Sequence, residues 1–135
     1  MLLEIDFNSD EPIYRQIRTQ VVQAVATGEL APGDALPSVR GLASDLGVNM
    51  HTVNKAYAVL RDEGYVRMRG RSGAFVADTA RQRTPLERQA REQRLSDSLR
   101  LLAMEYVAQG GAHDDFMKLA KLQADDVFCS KKEGE

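Results

Sequence analysis

The sequence predicts a mostly helical α+β chain with one small β-hairpin. Apolar residues recur at helical spacing in five separate segments. Side chains alternate with a period of two on both sides of a glycine-containing turn once, between positions 65 and 77, and this pattern is typical of a hairpin. With 135 residues, of which 43% are hydrophobic, the chain is long enough for one small domain and a further helical segment.

The first predicted elements are an N-terminal segment and a helix. Residues 3–7 alternate apolar and acidic side chains, which fits either a short edge strand or an arm packed on the domain. A helix is predicted to begin at Pro12, because a proline preceded by acidic residues is typical of helix starts. Gly28 is predicted to end it. The apolar stripe of this helix comprises Ile13, Ile17, Val21, Ala24 and Val25.

Two helices joined by a tight glycine turn follow a connector at residues 29–37. Ser38 is predicted to cap the first helix and Gly47 to end it. Asn49 is predicted to cap the second helix, which ends at Gly64. The inward stripe of the second helix comprises Val53, Ala56, Tyr57 and Leu60.

A hairpin is predicted directly after this helix pair, with strands near residues 65–69 and 74–77. A helix pair followed by a hairpin predicts a winged helix-turn-helix, in which the hairpin is the wing. We expect this N-terminal domain to cover residues 1–78 and a linker to occupy residues 79–85.

The C-terminal part is predicted to be a two-helix hairpin over residues 86–129, followed by a disordered polar tail at 130–135. Two helices alone cannot bury their apolar stripes, so this hairpin must pack on the winged domain or on a second copy. We expect a homodimer, which would present two copies of the helix pair. The residues assigned to dimerisation are Leu95, Leu99, Leu102, Tyr106, Phe116 and Leu119.

The overall charge is slightly acidic, which by itself disfavours a nucleic-acid binder. Eighteen basic residues stand against twenty acidic ones, for a net charge of −2. The stretch from Ser38 to Val76 is different, because it contains six basic residues and three acidic ones. The sequence therefore predicts a polarised molecule whose basic surplus coincides with the helix pair and the wing.

Residue patterns typical of metal, cofactor or catalytic sites are missing from the sequence. Cys129 is a single thiol and is interpreted as an inert one. His113, Asp114 and Asp115 are consecutive, so they do not converge on one helix face. No signal-peptide segment and no apolar run near the roughly 20 residues of a membrane span is present. We expect a cytoplasmic protein that is not an enzyme, needs no cofactor or metal and does not contact a membrane.

Three stretches carry a resemblance to a known family: Leu-Pro-Ser-Val-Arg at 36–40, Gly-Leu-Ala-Ser-Asp-Leu-Gly-Val-Asn at 41–49 and Thr-Val-Asn-Lys-Ala-Tyr at 52–57. The chain resembles the GntR family of bacterial transcription regulators from about Pro12 to Val76. Asn49, the Asn-Lys-Ala-Tyr variant at 54–57 and the short C-terminal helical pair are similar to the YtrA subfamily.

The resemblance implies a sequence-specific regulator that binds double-stranded DNA. The second helix of the pair would enter the major groove, and the wing would reach the minor groove. Met50 and Arg71 depart from the family pattern, which more often has Arg or Pro at the first position and Gly at the second. The residues assigned to DNA binding are Arg40, Asn49, Met50, His51, Thr52, Lys55, Arg69, Arg71, Ser72 and Gly73.

Several alternatives remain open on the sequence alone. The leading hypothesis is a homodimeric repressor that binds an inverted-repeat operator, with an unidentified small-molecule effector left open. The alternative is a small-molecule-sensing or protein-interaction winged-helix module without strong DNA binding. Instead of contacting DNA, Arg40 could form an ion pair with Asp45. Asn49 could serve as a helix cap. Arg61, beside Asp62, is interpreted as half of a surface ion pair.

Overall fold

The computed structural model describes residues 2–70, 73–78 and 84–133. Its elements are α1 (Ile13–Thr27), α2 (Val39–Leu46), α3 (Met50–Asp62), β1 (Val66–Met68), β2 (Ala74–Val76), α4 (Pro85–Ala108) and α5 (His113–Glu133). The predicted fold, mostly helical with one small antiparallel hairpin, is confirmed. The described residues fall into two compact units, 2–78 and 84–133.

Helix α3 lies at the centre of the first unit. Its inward residues Val53, Ala56, Tyr57 and Leu60 are at most 1% exposed. Helices α1 and α2 and strand β1 all pack against it. The predicted stripe of α3 is buried in full, whereas in the predicted stripe of α1 Ile13 and Val25 are only half-buried. Burial of apolar surface drives each amphipathic helix onto the same core. The other buried hydrophobic residues of this core are Ile17, Val21, Ala24, Leu30, Leu36, Leu42, Ala43, Val66, Ala74 and Val76.

The turn between α2 and α3 is defined by caps at both ends. The Oγ of Ser38 accepts the Gly41 amide at 3.0 Å, so Ser38 caps the start of α2. Gly47 ends α2 with φ of 69°, a left-handed conformation that glycine adopts without strain. The Oδ1 of Asn49 then accepts the His51 amide at 2.8 Å and caps α3. Both predicted caps are therefore present in the structure.

The connector between α1 and α2 also pairs with strand β2 of the wing. Ala35 forms an antiparallel bridge to Phe75 of β2. The Leu36 amide donates to the Ala74 carbonyl at 2.9 Å, and the Val76 amide donates to the Asp34 carbonyl at 2.8 Å. Strand β2 is thus paired on both edges, with β1 on one side and the connector on the other. This pairing joins the wing to the segment that enters α2.

The N-terminal segment is an arm packed on α1, which decides between the two sequence alternatives. The backbone of Asp6 exchanges hydrogen bonds with the Gln16 amide group at 2.9 and 3.0 Å. The backbone of Glu4 does the same with Gln20, at 2.9 and 2.6 Å. Gln16 is buried, and its Nε2 also donates to the Glu11 carbonyl at 2.9 Å. Its buried amide is therefore satisfied by main-chain partners.

The second unit is a pair of helices with little interior of its own. Thr84 and Glu87 form a capping box at the start of α4, with Pro85 in the first turn. The rings of Tyr106 and Phe116 lie 5.8 Å apart, and Gly111 packs so closely on Tyr106 that a Cβ there would collide with the ring. None of the described side chains of α4 is buried.

Helix α5 is longer than predicted. The sequence predicted a disordered tail from residue 130, whereas α5 continues to Glu133. Residues 131–133 are Lys, Lys and Glu, which have good helix propensity, so a helix already formed continues through them at little cost. The last two residues of the predicted tail, 134 and 135, lie outside the described part of the chain.

A buried tyrosine links α3 to the connector. The Tyr57 hydroxyl donates to the Pro37 carbonyl at 2.7 Å, and its side chain is 1% exposed. Burial raises the pKa of Tyr57 from 10.0 to about 12, because the phenolate would lose its hydration. Below pH 10 the hydroxyl is protonated in both the folded and the unfolded chain, so its contribution to stability is complete there. As the pH rises through the folded-state pKa that contribution is lost.

We predict that Tyr57→Phe lowers the free energy of unfolding by about 1 kcal/mol near pH 7, the usual contribution of one hydrogen bond. The difference from the unmodified chain should shrink between pH 10 and about 12, because the phenylalanine variant has no proton to lose. Urea unfolding at a series of pH values measures both effects. Tyr65→Phe is the control, since Tyr65 is only half-buried. A difference that stays constant across this range would contradict the assignment.

Candidate nucleic-acid interface

The outer face of α3 consists of polar side chains. The inner face is taken by the core, so residues on the opposite side of the helix are exposed. His51, Asn54 and Lys55 are exposed and Thr52 is half-buried. These residues lie in the first two turns of α3, the part of such a helix that contacts base edges. Asn54 belongs to this surface and was not among the residues predicted for it.

Two predicted residues at the start of α3, Asn49 and Met50, are only partly available to a ligand. Asn49 is exposed, but its Oδ1 is engaged as the helix cap, which leaves the Nδ2 group as its remaining donor. Met50 is 41% exposed and lies in line with Val53 and Tyr57 along the helix, at the edge of the inner stripe. Part of its side chain therefore contacts the protein and part remains accessible.

The cations of the first unit divide into paired and unpaired ones. Arg61 pairs with Asp62 at 3.2 Å, as the sequence predicted. Arg18 binds Glu63 at 2.6 Å, and this hydrogen bond raises the pKa of Arg18. Arg40 is exposed on the first turn of α2, and among the described residues no ion pair joins it to Asp45. Arg40 is therefore available to an external anion.

The wing also presents a cation. Arg69 follows β1, and its guanidinium carbon lies 5.0 Å from the centroid of the Phe75 ring. The Arg69 amide donates to the Gly73 carbonyl at 3.0 Å and closes the turn, with φ of 93° at Gly73. Both residues are exposed. The predicted tip residues Arg71 and Ser72 lie outside the described residues.

Aromatic partners for two of the predicted cations were not recognised from the sequence. The Lys55 ammonium lies 4.1 Å from the centroid of the Tyr14 ring of α1. Phe75 stands in the same relation to Arg69. Tyr14 is distant from Lys55 in the sequence, and Phe75 is separated from Arg69 by the hairpin turn. Neither separation has a signature that can be recognised in the sequence. Only the folded chain brings each ring to its cation.

Metal-binding clusters and membrane-spanning helices are both absent from the described residues. Among those residues, no group of three or more His, Cys, Asp or Glu side chains is placed to hold a metal ion. None of the helices in the described ranges has the length and apolar character needed to cross a membrane.

A helix pair with a polar outer face, followed by a hairpin with an arginine beside its turn, defines a winged helix-turn-helix DNA-binding module. Comparison with known families agrees: the model of the bacterial regulatory proteins of the gntR family matches residues 13–76. The chain belongs to the GntR family, and its similarities place it with the YtrA-like members. We call α3 the recognition helix from here on.

Three similar proteins illustrate this relationship. The HTH-type transcriptional repressor YtrA of Bacillus subtilis is 42% identical over 81 residues, which cover 59% of this chain and 62% of that relative. The solved structure of YtrA from Sulfolobus acidocaldarius, a GntR-family transcription factor, is 40% identical, with a TM-score of 0.63 over 80% of this chain and 99% of that chain. AraR(DBD), solved in complex with operator ORX1, is 27% identical, with a TM-score of 0.52 over 57% of this chain and 99% of that chain. The chain thus spans less than two thirds of the length of the Bacillus relative.

We predict that Asn49→Ser separates the two roles of this residue. Serine caps a helix about as well as asparagine, so the free energy of unfolding should change by a few tenths of a kcal/mol. Serine lacks the Nδ2 group that the cap leaves free to donate to DNA, so the affinity for specific DNA should fall by about 1 kcal/mol, the usual contribution of one hydrogen bond. Asn49→Ala is the comparison, because it removes the cap and costs about 1 kcal/mol of stability. Full DNA affinity in the serine variant would limit Asn49 to capping.

Proposed function

We propose that the chain is a homodimeric, sequence-specific DNA-binding repressor that binds an inverted-repeat operator. The observation that carries the proposal is the exposed polar surface of the recognition helix beside an available Arg40 and a wing with Arg69. The recognition helix would lie in the major groove and the wing in the minor groove. This function would place the chain in the cytoplasm, where prokaryotic DNA lies.

The side chains on this surface suit different parts of a DNA site. Asn54 can pair with adenine, Asn49 can donate its Nδ2 to a base acceptor while its Oδ1 caps the helix, and His51 and Thr52 can bond to base edges or phosphate. Met50 can contact a thymine methyl with its accessible part. Arg40 at the start of α2 suits a phosphate beside the major groove. Arg69, next to the Gly73 turn, suits a narrow minor groove, whose negative potential attracts arginine.

The second unit supplies the argument for a dimer. Helices α4 and α5 expose a large apolar surface, since Leu99 is 48% exposed and Leu102 is 55% exposed. Burial of a side chain of this kind contributes about 1.5–3 kcal/mol, so leaving them all in water is unfavourable. The predicted dimerisation residues Leu99, Leu102, Tyr106, Phe116 and Leu119 together line a groove of about 450 Å³ between the two helices. Leu95 lies on α4, one turn before Leu99, and is 59% exposed.

Dimer symmetry then suggests the form of the operator. A dimer with twofold symmetry presents two recognition helices in opposite orientations, which fits an inverted repeat. Two half-sites would also raise the affinity of a chain whose net charge is only −2. The repressor role is supported by the name of the Bacillus relative, a transcriptional repressor.

The same groove favours a second candidate function, the binding of a small-molecule effector. A volume of about 450 Å³ lies in the range of ligand pockets, and its lining combines apolar side chains with Glu105, Gln109 and Gln123. A metabolite that binds there would raise the melting temperature in a concentration-dependent way. A thermal-shift screen of the unmodified chain distinguishes this candidate from a groove filled only by a second copy.

We predict that Arg40→Ala weakens binding to a duplex from the region upstream of the chain's own gene by about 1–3 kcal/mol. The reason is the loss of a cation for which the described residues provide no ion-pair partner. Arg61→Ala is the matched control, because Arg61 is also exposed but pairs with Asp62. Fluorescence anisotropy at several salt concentrations measures the affinity, which should fall steeply with salt. Equal affinities of the two variants would count against an Arg40 contact.

We predict that Leu99→Glu converts the dimer to a monomer, because a carboxylate cannot be buried without a partner. Sedimentation equilibrium measures the molecular mass, and operator affinity should fall together with dimerisation. Leu86→Glu is the control, since Leu86 is exposed about 20 Å away along the same helix and does not line the groove. An unmodified chain that sediments as a monomer, or a Leu99→Glu variant that remains a dimer, would refute this interface.

A further inference from the structure

The surroundings of Lys55 are unusual for an exposed lysine. Its ammonium lies 4.1 Å from the centroid of the Tyr14 ring, the distance of a cation–π contact. Among the described residues no carboxylate pairs with it, whereas Arg18 and Arg61 on neighbouring positions of α1 and α3 each have one. The Tyr14 ring is half-buried and belongs to a different helix. The aromatic face is therefore the group in the described structure that holds this ammonium in place.

Lys55 lies on the side of the recognition surface where α3 contacts α1, since its ammonium meets the ring of Tyr14. Thr52, Lys55 and Val59 follow one another at spacings of three and four, so they form one row along the helix. Val59 lines a groove of about 420 Å³ between α1 and α3 together with Tyr14 and Thr19. The row therefore faces α1. Asn54, the residue before Lys55, lies about 100° round the helix from it, on the side away from this row.

We propose that Tyr14 is a positioning residue that holds the Lys55 ammonium where it contacts a DNA phosphate. This inference rests on the proposed function, in which the recognition helix binds the major groove. A charge on the side of that helix next to another helix meets the phosphate backbone, whereas side chains that point into the groove meet the base edges. The ammonium acts as a compact point charge, which suits phosphate and does not require a particular base.

The ring contributes mainly by limiting the conformational freedom of the Lys55 side chain. A free lysine side chain samples many rotamers and loses this freedom when it binds a phosphate. A ring that already holds the ammonium has removed part of that loss before DNA arrives. The ring face occupies one side of the ammonium and leaves its other N–H donors for the phosphate oxygens. Removal of the ring should therefore weaken every complex that uses the Lys55–phosphate contact, whatever the DNA sequence.

The experiment compares Tyr14→Leu, Tyr14→Phe, Lys55→Met and the double variant Tyr14→Leu/Lys55→Met with the unmodified chain. Two DNA probes are used: a duplex selected from a random-sequence library with the unmodified chain, and a scrambled duplex of equal length. Anisotropy titrations at several salt concentrations give the affinity and its salt dependence for each. Urea unfolding reports whether each variant is folded.

The inference predicts a loss of about twofold to fivefold for Tyr14→Leu on both probes. Tyr14→Phe retains a ring face and should bind like the unmodified chain. Lys55→Met should weaken both probes and reduce the salt slope by about one. The double variant should bind no more weakly than Lys55→Met, because Tyr14 acts through Lys55.

Five outcomes would overturn it. Unchanged affinity in Tyr14→Leu, or a double variant whose losses add, shows that Tyr14 does not act through Lys55. A loss confined to the selected duplex shows a distorted recognition helix. Unchanged affinity in Lys55→Met removes the DNA contact of Lys55 itself, and so also that part of the proposed function. If Tyr14→Leu does not fold, the ε-protons of Lys55 are observed by NMR in the unmodified chain, where absence of a ring-current shift rejects the contact.

Discussion

The buried inner face of α3 is the constraint on which the first unit depends. Val53, Ala56, Tyr57 and Leu60 are almost completely removed from water, and α1, α2 and β1 each cover part of this stripe. Once the inner face is committed to the core, the rotation of the helix about its axis is set, because one side must remain buried. The same burial that stabilises the unit therefore determines which side chains of α3 remain exposed to solvent. The core and the exposed polar surface thus depend on the same helix.

The exposed polar surface of α3 is held in place by contacts with its neighbouring elements. The Tyr57 hydroxyl bonds to the Pro37 carbonyl, just before the cap of α2, and the connector pairs with β2 of the wing. Helix α2, the recognition helix and the wing are thus connected by main-chain contacts and by a shared core. A site built on packed elements holds its contact groups in nearly fixed geometry, which reduces the entropy lost on binding. The aromatic rings beside Lys55 and Arg69 extend this order to flexible cations.

The second unit contrasts with the first. Helix α4 begins with a capping box, yet none of its described side chains is buried, and the groove between α4 and α5 is lined mainly by leucine and aromatic side chains. Local interactions are thus sufficient to specify the helices, while burial of their apolar faces needs a surface from elsewhere. This imbalance is the reason why the proposed function assigns oligomerisation, and not DNA contact, to the C-terminal helices.

Much of this molecule follows from sequence periodicity and local chemistry. Helical spacing of apolar residues predicted five helices and the buried stripe of α3, while Ser38, Gly47 and Asn49 marked helix ends through their own hydrogen-bonding or backbone preferences. The sequence did not predict the bridge between Ala35 and Phe75, the packing of the arm by Gln16 and Gln20, or the contact of Tyr14 with Lys55. These contacts join residues far apart in the chain and have no periodic or local signature. Such pairs are chosen only when the core brings whole elements together, so the tertiary structure alone decided them.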